Sequence, residues 1–71
     1  MTVQELIYSD LMIRDSTVIN IREEQENGRP AFRTKGNWFQ DQVLNLADRE
    51  IKSLDYNRET DVMKLLLYRR E

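Results

Sequence analysis

The chain has 71 residues, a formal net charge of −2, 34% charged residues, and neither cysteine nor histidine. This composition excludes nucleophilic sites that pair cysteine or serine with histidine, and it disfavours structural zinc, whose ligands are mostly cysteine and histidine. The length allows one domain over residues 1–71, and no apolar run approaches the roughly 20 residues of a membrane-spanning helix. We therefore expect a single soluble, cytoplasmic domain without a metal or a cofactor.

The N-terminal residues carry a helix-start pattern. Thr2 and Glu5 form a T-x-x-E capping box, in which each side chain satisfies a backbone N–H group of the first turn. Val3, Leu6 and Ile7 follow at helical spacing and share one apolar face. The pattern predicts a short helix over about residues 3–9, followed by an irregular segment.

A β-hairpin pattern comes next. Residues 17–22 are rich in β-branched side chains and alternate, with Ile19 and Ile21 on one face. The dipeptide Asn27-Gly28 follows, which is the strongest short signal for a tight hairpin turn. These features predict two antiparallel strands joined at this dipeptide.

The predicted turn also sets the register of the hairpin. A two-residue loop places Ile21 opposite Thr34 and Arg22 opposite Arg33. The second pairing is unfavourable because like charges then lie directly opposite each other. Pro30 has no backbone N–H, so the second strand is expected at an edge of the sheet.

From Asn37 onward the pattern returns to a helical period. Asn37 is a suitable N-cap, and an amphipathic helix is predicted from about Trp38. The apolar residues at helical spacing are Phe39, Val43, Leu46, Ala47, Ile51 and Leu54. Two endings remain open: the helix stops near Asp48 and residues 50–56 form a strand, or the helix continues to Leu54.

Residues 61–68 predict a strand that is mostly apolar on both faces. One face carries Val62, Lys64 and Leu66, and the other carries Met63, Leu65 and Leu67. Such a strand suits the centre of a sheet and needs an antiparallel neighbour, which favours a strand over residues 50–56. The expected fold class is α+β, with a short N-terminal helix, an Asn-Gly β-hairpin, one amphipathic helix and C-terminal β-strands.

Residues 29–39 interleave basic and aromatic side chains. The candidate interaction surface in this segment is Arg29, Phe32, Arg33, Lys35 and Trp38. Similar mixtures bind single-stranded nucleic acid, in which bases stack on rings and cations contact phosphate. Aromatic and arginine side chains are also frequent at protein interfaces, and a core this small needs its large apolar groups. The acidic net charge favours a protein partner over nucleic acid.

Self-association is a further expectation, because a domain of this size has little core and here lacks cysteines that would cross-link it. The hairpin strands carry charges of the kind that keep a sheet edge unpaired. The C-terminal strand has only Lys64 for such protection. Its candidate dimer-contact residues are Met63, Leu65, Leu67 and Tyr68.

Two short motifs stand near the ends of the chain. Residues 1–7 read M-T-V-Q-E-L-I, and residues 48–54 read D-R-E-I-K-S-L. Both resemble motifs of small phage and prophage accessory proteins of unknown function, many of which begin with an M-T-V-x-E-L-I helix and end with a D-R-E-V-K-S-I-like strand and one more strand. The resemblance implies an α+β fold in which residues 50–56 form a strand, and it implies no activity.

The sequence therefore favours a non-enzymatic interaction or accessory protein, encoded by a phage or prophage. We expect it to dock onto a host protein, a phage protein or a second copy of itself. The alternative is a nucleic-acid-binding module that uses residues 29–39.

Overall fold

The computed structural model describes residues 1–9 and 13–69. The elements are helices α1 (Val3–Ile7) and α2 (Asp41–Leu44) and strands β1 (Val18–Glu24), β2 (Pro30–Gly36), β3 (Ile51–Asn57) and β4 (Val62–Leu67). The strands form one mixed sheet in the order β2-β1-β4-β3. Strands β1 and β4 are parallel, and the other neighbours are antiparallel. The predicted α+β class is confirmed.

Helix α1 begins with the predicted capping box. The Glu5 backbone N–H donates to Thr2 Oγ1 at 3.2 Å, and the Thr2 backbone N–H donates to Glu5 Oε1 at 3.1 Å. The helix ends at Ile7, slightly earlier than the sequence predicts. Val3 and Leu6 are fully buried, so one face of this short helix is anchored in the core.

The β1–β2 hairpin turns where predicted, but through a three-residue loop. The Gly28 N–H donates to the Gln25 carbonyl at 2.8 Å, and the Gln25 N–H donates to the Arg29 carbonyl at 3.0 Å. Gly28 has a φ of +80°. This left-handed conformation is required at the last loop position, and glycine adopts it without steric cost.

A β-bulge corrects the register beyond this loop. Ile21 lies opposite Thr34 as predicted, but Arg22 lies opposite Phe32. Arg33 is the extra residue in β2, so the predicted pairing of Arg22 with Arg33 is wrong. The loop has one residue more than predicted, and the bulge compensates for that residue. Strand β2 is an edge strand, as Pro30 indicates.

The middle helix is much shorter than predicted. Helix α2 covers only Asp41–Leu44, its N-cap is Gln40, and the chain continues in turns to residue 48. Asn37 is not the N-cap. Its side-chain amide instead donates to the backbone carbonyls of Asp15 and Thr17, at 2.8 and 3.2 Å.

Helix α1 binds the backbone that follows α2. The Val3 N–H donates to the Arg49 carbonyl at 3.0 Å, and the Gln4 N–H donates to the Ala47 carbonyl at 2.9 Å. The first N–H groups of any helix have no partner inside that helix. The Ala47 and Arg49 carbonyls are therefore not available to the N–H groups of Ile51 and Ser53, which a helix continuing to Leu54 would require.

The last two strands follow the strand alternative rather than the long helix. Strands β3 and β4 form an antiparallel hairpin, and the helix continuation to Leu54 is wrong. Asn57 forms the predicted turn, since its Oδ1 accepts from the backbone N–H groups of Glu59 and Thr60 at 2.9 and 3.3 Å. The prediction that the C-terminal strand is central is confirmed.

The core lies on one face of the sheet, between the strands and the two helical segments. Its buried members are Val3, Leu6, Ile19, Ile21, Val43, Leu46, Met63, Leu65 and Leu67. Strand β4 therefore cannot provide the predicted dimer contact: its backbone is paired on both sides, and the side chains of Met63, Leu65 and Leu67 are buried. Tyr68, just beyond the strand, is 52% exposed.

Asp61 joins three hydroxyl groups before β4. Its Oδ1 accepts from Tyr56 at 2.7 Å and from the fully buried Thr17 at 2.8 Å, and its Oδ2 accepts from Ser16 at 2.8 Å. The hydrogen bond from Tyr56, followed by those from Ser16 and Thr17, holds the pKa of Asp61 below its ordinary value of 3.8. Its φ of +55° lies in the left-handed region, which aspartate and asparagine tolerate better than most residues.

The lowered pKa of Asp61 predicts acid destabilisation. When a folded-state pKa lies below the unfolded value, the stabilisation is complete above the unfolded pKa and is lost as the pH falls through the folded pKa. Asp61→Asn retains the tolerated backbone conformation but removes the charge. We expect this variant to melt below the wild type at pH 7, and the difference to shrink below about pH 4. Thermal denaturation followed by circular dichroism measures it, and a constant difference down to about pH 2 would contradict the prediction.

Candidate functional site

The two faces of the sheet have different surroundings. Alternate side chains of β1 and β4, such as Ile21 and Leu65, point into the core beneath α1 and α2. The side chains between them point to the opposite face, because successive residues of a strand alternate. Neither helix of the described residues packs on that second face. It is therefore the main candidate surface for binding a partner.

We call this surface the open face. Directly paired residues share a face, so the registers define its members. They are Val18, Asn20, Arg22 and Glu24 of β1, Pro30, Phe32, Arg33 and Lys35 of β2, Lys52, Ser53, Asp55 and Asn57 of β3, and Val62, Lys64 and Leu66 of β4. Each of the two bulges adds one residue to the open face. Arg33 lies on the same face as Phe32, and Lys52 lies on the same face as Ser53.

Two rows of side chains cross the centre of the open face. The first row runs Phe32, Arg22, Leu66, Ser53, and the second runs Lys35, Asn20, Lys64, Asp55. Neighbouring strands are about 4.8 Å apart, so each side chain is adjacent to the next in its row. Phe32 is 65% exposed, although it is one of the largest apolar groups in the chain.

A shallow groove lies across the same face. Its lining includes Pro30 and Leu66, which are apolar, Arg22 and Lys64, which are cationic, and one carboxylate, Asp55. These residues come from all four strands. With two cations and one carboxylate, the groove offers apolar contact beside an excess of positive charge, which suits a ligand with both flat apolar and anionic parts.

Positive charge is concentrated on the open face. This face contains five of the chain's 11 lysine and arginine residues but two of its 13 aspartate and glutamate residues. The basic members are Arg22, Arg33, Lys35, Lys52 and Lys64. The surface is basic although the chain as a whole is acidic.

One of these cations is already paired. Lys52 Nζ forms an ion pair with Glu24 Oε2, and this hydrogen bond raises the pKa of Lys52. Arg22, Arg33, Lys35 and Lys64 form no side-chain ion pair or hydrogen bond with any residue that the structure describes. Asp55 lies directly opposite Lys64 but forms no ion pair with it. The four cationic groups are therefore accessible to a ligand.

The predicted interaction surface is divided by the fold. Phe32, Arg33 and Lys35 lie together on the open face, and exposed Arg29 precedes them at the end of the loop. Trp38 is separate from them. It is half-buried against the core, its Nε1 donates to Asp15 Oδ1 at 2.8 Å, and its ring meets Phe39 edge-on at 5.6 Å.

Sequence reasoning missed the cations that the other strands add to this surface. Arg22 and Lys64 stand on alternating segments, and the alternation alone places each on the face opposite the core side chains. It does not show that β1 and β4 are neighbours. The parallel pairing of Asn20 with Lys64 and of Arg22 with Leu66 brings these groups beside Phe32 and Lys35.

The acidic side chains of the described residues do not form a metal site. Among residues 1–9 and 13–69, no group of three or more acidic, histidine or cysteine side chains is placed to hold a metal ion. Two glutamates of β1 have cationic partners, since Glu23 pairs with Arg49 and Glu24 pairs with Lys52.

No helix in the described ranges combines the length and apolarity needed to cross a membrane.

Comparisons with protein-family models, with curated proteins and with solved structures find no match to this chain.

Proposed function

We propose that the chain is a small, non-enzymatic interaction protein that binds a macromolecular partner through the open face. One observation carries this proposal: a sheet face uncovered by the described helices combines an exposed Phe32 with unpaired basic side chains, on a chain of acidic net charge. Exposed aromatic side chains and arginines provide much of the binding energy at interfaces. A surface used for binding explains why this apolar ring is not in the core.

Catalysis has little support from the residues. The chain has no histidine or cysteine. The neighbouring carboxylates of Glu23 and Glu24 lie on opposite faces of β1 and are each held by a cation, whereas an acid–base pair needs two carboxyl groups facing one substrate. Binding is therefore the activity that the open face supports best.

We further propose a phage or prophage origin and a cytoplasmic location. The support is the resemblance of residues 1–7 and 48–54 to phage accessory proteins. These two motifs lie together in the fold, because the Ile51 N–H donates to the Met1 carbonyl at 2.8 Å. Gene context tests the origin: phage genes around the coding sequence would support it, and housekeeping metabolic genes would contradict it.

The binding role is tested by matched charge reversals. Lys35→Glu/Lys64→Glu reverses two charges on the open face, and Arg58→Glu/Arg69→Glu makes the same change at exposed positions outside the strands. Immobilised wild type and the Arg58/Arg69 variant are expected to capture the same partner from host lysate. The Lys35/Lys64 variant should retain at most about a tenth as much, because it repels an anionic surface.

Circular dichroism on both variants checks that they remain folded. Equal capture by the two variants would show that the partner binds elsewhere. A wild-type protein that captures nothing in lysates with or without added nuclease would contradict an interaction role through this surface.

A further inference from the structure

We infer that the open face is a binding site for single-stranded nucleic acid. This inference rests on the proposed binding function and specifies the partner. Three observations lead to it. They are the distribution of charge on the open face, the position of Phe32 on that face, and the absence of basic residues from the two helices.

The charge distribution fits a phosphate backbone. Arg22, Arg33, Lys35 and Lys64 come from three adjacent strands and form no ion pair with a described residue, although Asp55 lies directly opposite Lys64. The acidic net charge of the chain argues against nucleic acid only if charge is uniformly distributed, and here it is segregated. A chain of phosphates crossing the face would meet several of these cations in succession, which is how single strands are bound without sequence preference.

Phe32 is placed to stack on an unpaired base. It is 65% exposed, lies directly opposite Arg22, and follows Pro30 by two positions on the same face of an edge strand. The next residue, Arg33, lies on the same side because of the bulge. An exposed ring on a sheet, flanked by cations, is an arrangement in which bases stack and neighbouring arginines contact phosphate.

The helices argue against a duplex as the ligand. Proteins commonly read the major groove of DNA with a helix that carries basic and polar side chains. Helix α1 has the sequence V-Q-E-L-I and α2 has the sequence D-Q-V-L, so neither contains a lysine or an arginine. The basic surface is instead the four-stranded open face, which is wider than the two-stranded ribbon that the major groove admits.

An acidic protein segment is the main competing ligand. It would satisfy the same four cations. A hot-spot ring usually fills a pocket in the partner, and a short extended acidic segment has no pocket that could enclose Phe32. The exposed ring therefore favours nucleic acid, and the two ligands are separated by their response to Phe32→Ala.

Fluorescence anisotropy with a labelled oligo(dT) of about 15 nucleotides is the direct test. At about 50 mM salt we expect a Kd on the order of 1–100 µM. If all four cations contact phosphate, the logarithm of the affinity should fall with the logarithm of the salt concentration with a slope of about −3. A duplex of the same length should bind at least about tenfold more weakly.

Two variants separate stacking from charge. Phe32→Ala should weaken oligo(dT) binding about 5- to 100-fold and leave the salt slope unchanged. Lys35→Gln should reduce the magnitude of the slope by about 0.7, since one phosphate contact is lost. Tyr8→Ala is the matched aromatic control, because Tyr8 is 72% exposed but lies on α1's C-cap, away from the open face. It should bind like the wild type.

Oligo-glutamate of similar length serves as the competing probe. Equal affinity for oligo-glutamate and oligo(dT), with no effect of Phe32→Ala, would overturn the inference and describe a general anion-binding surface. Absence of oligo(dT) binding at about 100 µM would also overturn it. If lysate capture were still lost in Lys35→Glu/Lys64→Glu, the proposed function would stand with a protein as partner.

Discussion

Replacement of Leu65 by alanine is expected to lower the free energy of unfolding by about 2–5 kcal/mol. Leu65 is 2% exposed and lies in the central strand β4, opposite Ile21 of β1 and Leu54 of β3. Truncation at such a site loses the burial of the side chain and leaves a cavity that neighbours fill only partly. A domain of this size has a total stability of about 4–10 kcal/mol, so a large part of the molecules would unfold.

Leu66→Ala is the matched control for this substitution. Leu66 is the next residue of the same strand but is half-buried on the open face. Its truncation should cost about 1 kcal/mol. Urea denaturation of both variants measures the difference. A larger loss for Leu66→Ala than for Leu65→Ala would mean that β4 presents the opposite face to the core.

The burial of Leu65 also predicts the effect of Leu65→Lys on folding. An exposed, dimer-forming β4 edge would tolerate Leu65→Lys and simply become monomeric. In the present fold the ammonium group would be buried without a partner, so we expect this variant to unfold. A folded, soluble Leu65→Lys protein would contradict the central position of β4.

Replacement of Arg49 by methionine is expected to destabilise the fold by about 3 kcal/mol. Arg49 Nη2 lies 2.6 Å from Glu23 Oε2 and also donates to the Tyr68 carbonyl at 3.0 Å. The exposed fractions of the Arg49 and Glu23 side chains are 6% and 17%. Removal of the arginine leaves the glutamate charge in a largely dehydrated position, which costs more than the loss of the ion pair alone.

A double-mutant cycle isolates this interaction. The single variants are Arg49→Met and Glu23→Leu, and the third variant combines them. We expect the combined variant to be more stable than the sum of the single losses predicts, by about 2 kcal/mol, because it leaves no unpaired charge behind. Chemical denaturation provides the free energies. Losses that add within about 0.5 kcal/mol would show that the pair is not formed in solution.

The more exposed ion pair provides a comparison for the cycle. Lys52 pairs with Glu24 on the open face, with side-chain exposures of 43% and 26%. Solvent screens such a pair, so Lys52→Met should change stability much less than Arg49→Met. Equal effects would indicate that burial is not the cause of the larger loss.

Local features of this protein could be predicted from the sequence. The capping box of Thr2 and Glu5, the turn at Asn27-Gly28, and the alternation around Ile19 and Ile21 all depend on residues a few positions apart. Their partners are therefore visible in a short window of sequence. The edge position of β2 was also predictable, because the missing N–H of Pro30 is a property of that residue alone.

The tertiary structure decided the features that depend on distant partners. Helix α2 stops after Leu44, and the carbonyls of Ala47 and Arg49 instead satisfy the first N–H groups of α1. The expected register also failed at Arg33, because a longer loop and a bulge compensate for each other. Helical spacing between residues 38 and 54 could not reveal the first event, and the Asn27-Gly28 dipeptide could not reveal the second.

The composition of the open face likewise depends partly on the local sequence and partly on contacts between distant segments. Alternation determines that Arg22, Lys64 and Phe32 lie away from core side chains, but it does not determine which strands are neighbours. The neighbours are determined by the tertiary structure. Strands β1 and β4, far apart in the sequence, pair in parallel and bury Ile21 beside Leu65. Burial of the apolar face thereby determined which cations gather around Phe32 on the other side.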